Sequence, residues 1–399
     1  MIAVGLRTCM DESNKTARAL LIRLLRAALR GETYSPPPDC PWDRLLPLAR
    51  AQRVENLLWY ALRGVEGIPQ DAAAQLELAH RKALFFSAQI DIWSARIEES
   101  MSRAGASCVP LRGVQLRRQY PSPDMRPMAD IDYLARTADY PAIQKVMEAQ
   151  GGRHVHTDGG HFTFVVPPGL HIEFHPNLVY VMSMLGTQIN PGWQYVRDGR
   201  LTAEGEYLNH ICHLASDLTR GGAGVRTVMD NWIFRRSPAG QPDWAAVERE
   251  LDAFGLLKFA RNVEQLADWW FGEGGGSETL YDLGGYIIDS GAHGTVRQAV
   301  LAEAACRKSG MAALFLHKAI YPMQEMKGRY PWLERWPFLF PAACLARWAR
   351  AIRLHRGQIR DWVRHGRGAD TEAVSEFRER LERFGLSISN DCAAGGREK

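Results

Sequence analysis

Apolar residues recur at helical spacing from Lys15 to about Arg30, where Leu20, Leu21, Leu24, Leu25 and Leu29 line one face. A proline-rich run from Ser35 to Pro41 ends that element, and a second helical stretch follows around Leu45 to Leu62. The segment Asp71 to Arg103 has no Pro or Gly and carries Leu76, Leu78, Leu84, Ile90, Ile92 and Ile97, which predicts one long helix or a broken pair.

At Gly105 the period changes from helical to alternating. Cys108 to Leu111, Asp130 to Leu134, Phe162 to Val166 and Leu170 to His175 read as short strands. Pro167-Pro168-Gly169 joins the last two as a hairpin. Between them a helix fills Tyr140 to Gln150, with Ile143, Val146 and Met147 inward and Gly151 as its stop. Helical patterning returns after about Thr202, is interrupted at Gly221 to Gly224 and Gly272 to Gly276, and ends near Phe384 before Gly385.

The expected class is therefore α+β. Residues 1–104 form an N-terminal helical region, 105–200 an α/β core with a mixed sheet, 201–385 a larger C-terminal helical domain, and 386–399 a disordered tail.

Composition narrows the setting. The chain has 399 residues, 46% of them hydrophobic, enough to bury a sizeable core. Its formal charge of +4 is too small for a general nucleic-acid binder. The seven cysteines form no CxxC pair, which fits reduced thiols in a cytoplasmic protein. Arg23 breaks the apolar run at Leu20 to Ile22, so no secretory signal is expected. The longest uncharged apolar stretch, between Arg335 and Arg347, falls far short of the roughly 20 residues of a spanning helix.

The candidate chemistry lies on two of the strands. In Ala129-Asp130-Ile131-Asp132-Tyr133-Leu134, alternation sends both carboxylates to one face and Ile131 and Tyr133 to the other. Like charges so close repel unless a cation lies between them. In Leu170-His171-Ile172-Glu173-Phe174-His175 the same alternation aligns His171, Glu173 and His175 opposite an apolar face. Three carboxylates, Asp130, Asp132 and Glu173, can hold two Mg²⁺ or Mn²⁺ ions roughly 4 Å apart around a triphosphate. Glu173 joins them only if the hairpin pairs in the right register. Upstream, Gly113 sits where a strand should pass into a helix, and Arg112 and Arg126 are candidate phosphate contacts.

Leu111-Arg112-Gly113, Tyr120-Pro121, Arg126-Pro127-Met128, Asp130-Ile131-Asp132 and Glu173-Phe174-His175 together resemble bacterial nucleotidyltransferases of the DNA polymerase β-like superfamily, in particular a poorly characterised group with a Leu-Lys-Gly motif. The likeness is strongest over about residues 105–180 and looser over His210-Ile211-Cys212-His213 and Arg226 to Asp230. It implies a polymerase β-like mixed sheet with helices on one side, an NTP donor and Mg²⁺. Arg112 stands where that group has Lys, and Val114 where the broader superfamily has a second small residue.

Several features have a plainer reading. Arg126 serves equally well to neutralise acidic groups as to touch phosphate. His175 is a candidate to orient a carboxylate or a hydroxyl, or a hydrogen-bonded structural histidine. His210, His213 and Asp217 share a helix face with metal-like spacing, yet helix packing explains them better, and an i,i+4 ion pair would explain Arg226 and Asp230. Arg347, Arg350, Arg353, Arg356, Arg360 and Arg364 form a basic stripe opposite Leu345, Trp348, Ile352, Ile359 and Val363, suited to RNA or an anionic surface if it is more than a solvated face.

The residues thus point to transfer of an NMP from an NTP to an acceptor hydroxyl on a small molecule, peptide, protein or RNA, with release of pyrophosphate. Two alternatives stay open: a non-catalytic nucleotide-binding protein, and an RNA-directed, toxin-like nucleotidyltransferase.

Overall fold

The leucine stripe near the N-terminus lies buried on helix α1 (Ile2–Arg30) of a computed structural model, a helix that begins well before the spacing predicts. The structure describes residues 2–156, 162–178, 192–237, 241–305, 332–367 and 371–388, with 323, 326 and 330 besides. The tail expected after 385 therefore lies outside the described residues from 389 onward. The second helical stretch is two helices, α2 (Trp42–Ala51) and α3 (Glu55–Leu62). Arg53 turns the corner between them with a left-handed φ of 55°.

The segment without glycine or proline forms a single helix, α4 (Gln70–Arg103). Ile90, Trp93, Ile97 and Met101 in its second half are buried, whereas Leu78, Leu84 and Ile92 are exposed. Half of the apolar residues that predicted the helix thus do not face the core.

Five strands, β1 (Cys108–Pro110), β2 (Asp130–Ala135), β3 (Arg153–His156), β4 (Phe162–Val166) and β5 (Leu170–His175), make one sheet in the order β1-β2-β5-β4-β3. Only β2 and β5 pair in parallel; the other neighbours are antiparallel, so the sheet is mixed as expected. The β4–β5 hairpin turns through Pro167-Pro168-Gly169, with the Pro167–Pro168 peptide cis. Strand β3 has no counterpart in the sequence expectation. Arg-His-Val-His offers neither length nor alternation, and tertiary contact supplies what the pattern lacks: the His154 ring lies against Phe162 at 4.7 Å.

Between β1 and β2 runs a one-turn helix, α5 (Arg112–Leu116), and α6 (Tyr140–Ala149) follows β2 with Ile143 and Met147 fully buried. Ile131, Tyr133, Phe164, Ile172 and Phe174 form the sheet's apolar face, packed against Ile90, Trp93, Ile97 and Met101 of α4 and the inner residues of α6. Helices therefore cover one face and leave the polar face to carry charge.

A second, larger core joins α1 and α3 to α7 (Ala203–Arg220), α8 (Val225–Arg236), α9 (Trp244–Ala253), α10 (Leu257–Phe271) and α11 (Glu278–Ser290). Helix α7 starts where Thr202 caps it, the hydroxyl accepting from the Gly205 N–H at 3.2 Å. The basic stripe lies on the helix Phe340–Arg367. There Arg350, Arg353, Arg356, Arg360 and Arg364 are exposed and Arg347 is half-buried. Leu345, expected on the packed side, is 71% exposed, and the side chains of Ile352, Ile359 and Val363 lie outside the described residues. Among the described residues no helix is long and apolar enough to cross a membrane.

Candidate active site

The parallel register decides where Glu173 goes. It sets Asp132 beside Glu173 and Asp130 beside His171, so carboxylates from two strands meet on the uncovered face. His175, level with Leu134, brings its Nε2 to 3.2 Å from Asp132 Oδ1 and 3.7 Å from Glu173 Oε2. Asp132, Glu173 and His175 each offer one ligand atom, and these atoms lie within 4.8 Å of one another. Two carboxylate oxygens and an imidazole nitrogen at that spacing are a donor set for a divalent ion, oxygen-rich enough for Mg²⁺ and suited by its nitrogen to Mn²⁺. Asp130 lies on the same strand face but outside this group of three.

The electrostatics of the cluster are strained. Burial and then the charge of Asp132 push the Asp130 carboxyl above its ordinary range, and burial and Asp132 do the same to Glu173. Burial also works to raise Asp132, but the hydrogen bond and charge of His175 more than offset it and hold that carboxyl low. For His175, burial disfavours the cation, and Asp132 and Glu173 outweigh it, so the imidazole is raised. His175 thus lies against two of the three carboxylates, while the positive charges acting on Asp130 come from Arg226, Arg126 and Arg112.

A second set of charges lies beside the first, and it is satisfied. Arg126 is only 4% exposed and makes a fork onto Asp230 of α8, with Nε to Oδ1 at 2.8 Å and Nη2 to Oδ2 at 2.9 Å. Tyr120 donates to the same carboxylate at 2.6 Å. The direct ion-pair partner of Arg126 is thus Asp230 on α8, a residue outside the acidic cluster of β2 and β5. The Asp230 carboxyl is lowered to about 2: burial works to raise it, and the charge and hydrogen bond of Arg126, with the charges of His210 and Arg226, together outweigh burial.

The helix ion pair expected between Arg226 and Asp230 is not the bond that forms. Arg226 instead donates through Nη1 to the Pro127 carbonyl at 2.6 Å, tying α8 to the approach of β2. The i,i+4 spacing misleads because a planar guanidinium from another element matches both oxygens of Asp230 at once.

Arg112 is half-buried at the start of α5, with Nη1 3.2 Å from His210 Nδ1. An arginine can only donate, so Nδ1 accepts and the His210 proton sits on Nε2. Burial first, and then Arg112, press His210 down to about 3, and burial and Arg112 do the same to His213. His210, His213 and Asp217 gather no metal-ligand group among the described residues, in keeping with the packing reading. Gly113 is required by its neighbours: a Cβ there would collide with Met128 Cε and lie 3.3 Å from Arg126 Nη1. Its missing side chain lets the Arg126–Met128 segment settle on α5.

Tyr120 and Asp230 complete this arrangement; motifs in the sequence include both, but their pairing could not be read from spacing, since the partners are about a hundred residues apart along the chain. The family described as uncharacterised nucleotidyltransferase matches residues 38–272, more than half of the chain. This chain belongs to that family. No curated protein and no solved structure matches it. The whole sheet, the carboxylate cluster and the Arg126–Asp230 pair lie inside the matched span, whereas the helix with the basic stripe lies beyond it.

Proposed function

We propose that this nucleotidyltransferase moves an NMP from an NTP to an acceptor hydroxyl at the cluster of Asp130, Asp132 and Glu173, with Mg²⁺ or Mn²⁺ as the metal. The observation that carries the reading is the parallel register that pairs Asp132 with Glu173 and leaves His175 Nε2 3.2 Å from Asp132.

Asp132 and Glu173 would supply oxygen ligands and His175 a nitrogen, while Asp130 adds a further carboxylate on the same face. A divalent ion bound there supplies Lewis acidity toward phosphate oxygens and lowers the pKa of a hydroxyl it binds. The acceptor oxygen forms a bond to the α-phosphorus, the bond from that phosphorus to the bridging oxygen of the β-phosphate breaks, and pyrophosphate leaves. The acceptor proton passes to a carboxylate of the cluster. Arg112, which donates to the neutral His210, would offer further donors to the triphosphate.

The test is transfer of label from α-phosphate-labelled ATP, CTP, GTP or UTP, with Mg²⁺ or Mn²⁺, into lysate proteins, RNAs and metabolites. Transfer is expected to fall about a thousandfold in Asp132→Asn, the scale of removing one preorganised electrostatic group. Absence of nucleotide binding by the wild type, or full transfer by Asp132→Asn and Glu173→Gln, would sink the reading.

A further inference from the structure

Three guanidinium groups act on Asp130, and one of them alone has a carboxylate of its own. After burial and Asp132, the strongest influence on Asp130 is Arg226 of α8, followed by Arg126 and Arg112. Arg126 is taken up by its fork onto Asp230. Arg112 donates through Nη1 to the His210 ring at 3.2 Å, and Arg226 through Nη1 to the Pro127 carbonyl at 2.6 Å. Neither has an ion-pair partner among the described residues. A guanidinium carries five donors in a planar fork, so most of each remains for another acceptor.

Both side chains are half-buried, which leaves part of each open to a ligand. Burial and then the charge of Arg126 press both below the ordinary guanidinium range, and Arg226 adds to the pressure on Arg112. Asp217 of α7 is within electrostatic reach of both, yet among the described residues it forms an ion pair with neither. An anion between Arg112 and Arg226 would relieve the repulsion and use the donors that the chain leaves over.

Their position relative to the carboxylates follows from the charges that each exerts. Burial aside, Arg112 and then Asp132 act most strongly on His213 of α7, and His175 follows. One imidazole thus feels both a guanidinium and the carboxylate cluster, and Arg226 acts on Asp130 directly. The guanidiniums and the carboxylates therefore border the same space. Arginines on two elements, α5 and α8, suit a chain of phosphates better than a single one, because each fork matches the oxygens of one phosphate.

We propose that Arg226 and Arg112 grip the β- and γ-phosphates of the NTP from α8 and α5. The donor is selected by its phosphate tail, and the leaving pyrophosphate stays held as its bond to the α-phosphorus breaks. The proposal rests on the reading of the β2–β5 cluster as the site of nucleotidyl transfer. Through its bond to Pro127, Arg226 also sets the approach of β2, so one side chain serves both the tail and the strand.

Calorimetric titration of the full chain with inorganic tripolyphosphate tests it, in EDTA so that no metal contributes. Saturable binding is expected, weakened about tenfold or more in Arg112→Gln and in Arg226→Gln, the scale of one charge-assisted hydrogen bond. Arg226→Lys keeps the charge and a donor for Pro127 but loses the fork, and should weaken binding less. No saturable binding by the wild type, inorganic phosphate binding as tightly as tripolyphosphate, or equal affinity in the wild type and both glutamine variants would overturn the proposal. The last result would place the polyanion elsewhere, as on the basic stripe. If Arg226→Gln does not fold, wild-type affinity in both Arg112→Gln and Arg226→Lys overturns it equally. Failure of the transfer reading looks different: tripolyphosphate binding then still depends on Arg226, while label transfer from the NTP is unchanged in Asp132→Asn.

Discussion

Two groups of charged side chains stand side by side in this protein, and they are built in opposite ways. In the Tyr120–Arg126–Asp230 group one carboxylate receives three hydrogen bonds and is held down at about 2. In the β2–β5 group His175 reaches two of the three carboxylates, Asp132 and Glu173, and the carboxyls of Asp130 and Glu173 are pushed above their ordinary range. The first group is complete within the chain and contributes to folding. The second costs folding energy at neutral pH, because an acid raised in the folded state must be ionised against its surroundings. The cluster that is less fully satisfied is the one in which a divalent ion is proposed to sit.

The contrast breaks most sharply at Asp230. Asp230→Asn leaves the buried Arg126 without its counter-charge and is expected to cost about 3–5 kcal/mol in denaturant unfolding. The double change Arg126→Met with Asp230→Leu should recover most of that loss. Equal stability of Asp230→Asn and wild type would remove the structural role.

His210 gives the next largest effect. The folded protein holds it neutral to about 3, whereas an unfolded chain protonates it near 6.5, so the unfolded state binds more protons in between. Its contribution to stability is therefore complete above about pH 6.5 and falls as the pH drops toward 3. By pH 5 the loss is about 2 kcal/mol. His213 is depressed in the same way, so His210→Gln should make the acid limb shallower without abolishing it in a series of thermal melts, and an unchanged limb would contradict the assignment.

Gly113→Ala is expected to cost about 1 kcal/mol as the Met128 side chain shifts aside. Smallest, and opposite in sign, is Asp130→Asn: relieving repulsion from Asp132 should leave the melting temperature at pH 7 unchanged or slightly raised. A fall of several degrees would place Asp130 with the satisfied group.

How much of this was legible in the sequence follows from the range of the interactions. Period-two alternation is local, so the apolar and polar faces of β2 and β5 could be read directly, as could the α+β class from the change of period at Gly105. The pairing of Asp132 with Glu173 depended on strand register, a property of two segments, which is why Glu173 stayed conditional until the parallel pair was seen. Arg126 was recognised as a charged residue near the site, but its partner is on α8, beyond the reach of any spacing rule. Strand β3 escaped because its residues favour a strand only once Phe162 and Phe164 are beside them.

The account turns on Asp132, Glu173 and His175 holding a divalent ion where the nucleotide binds. Titration of Mn²⁺ into the protein, followed by electron paramagnetic resonance, tests that directly, because a bound ion loses the sharp aqueous signal and a ring nitrogen adds its own coupling. Saturable binding strengthened by ATP, with nitrogen coupling lost in His175→Ala and binding lost in Asp132→Asn, is the predicted result. Binding that is absent from the wild type, or identical in all three proteins, would contradict it.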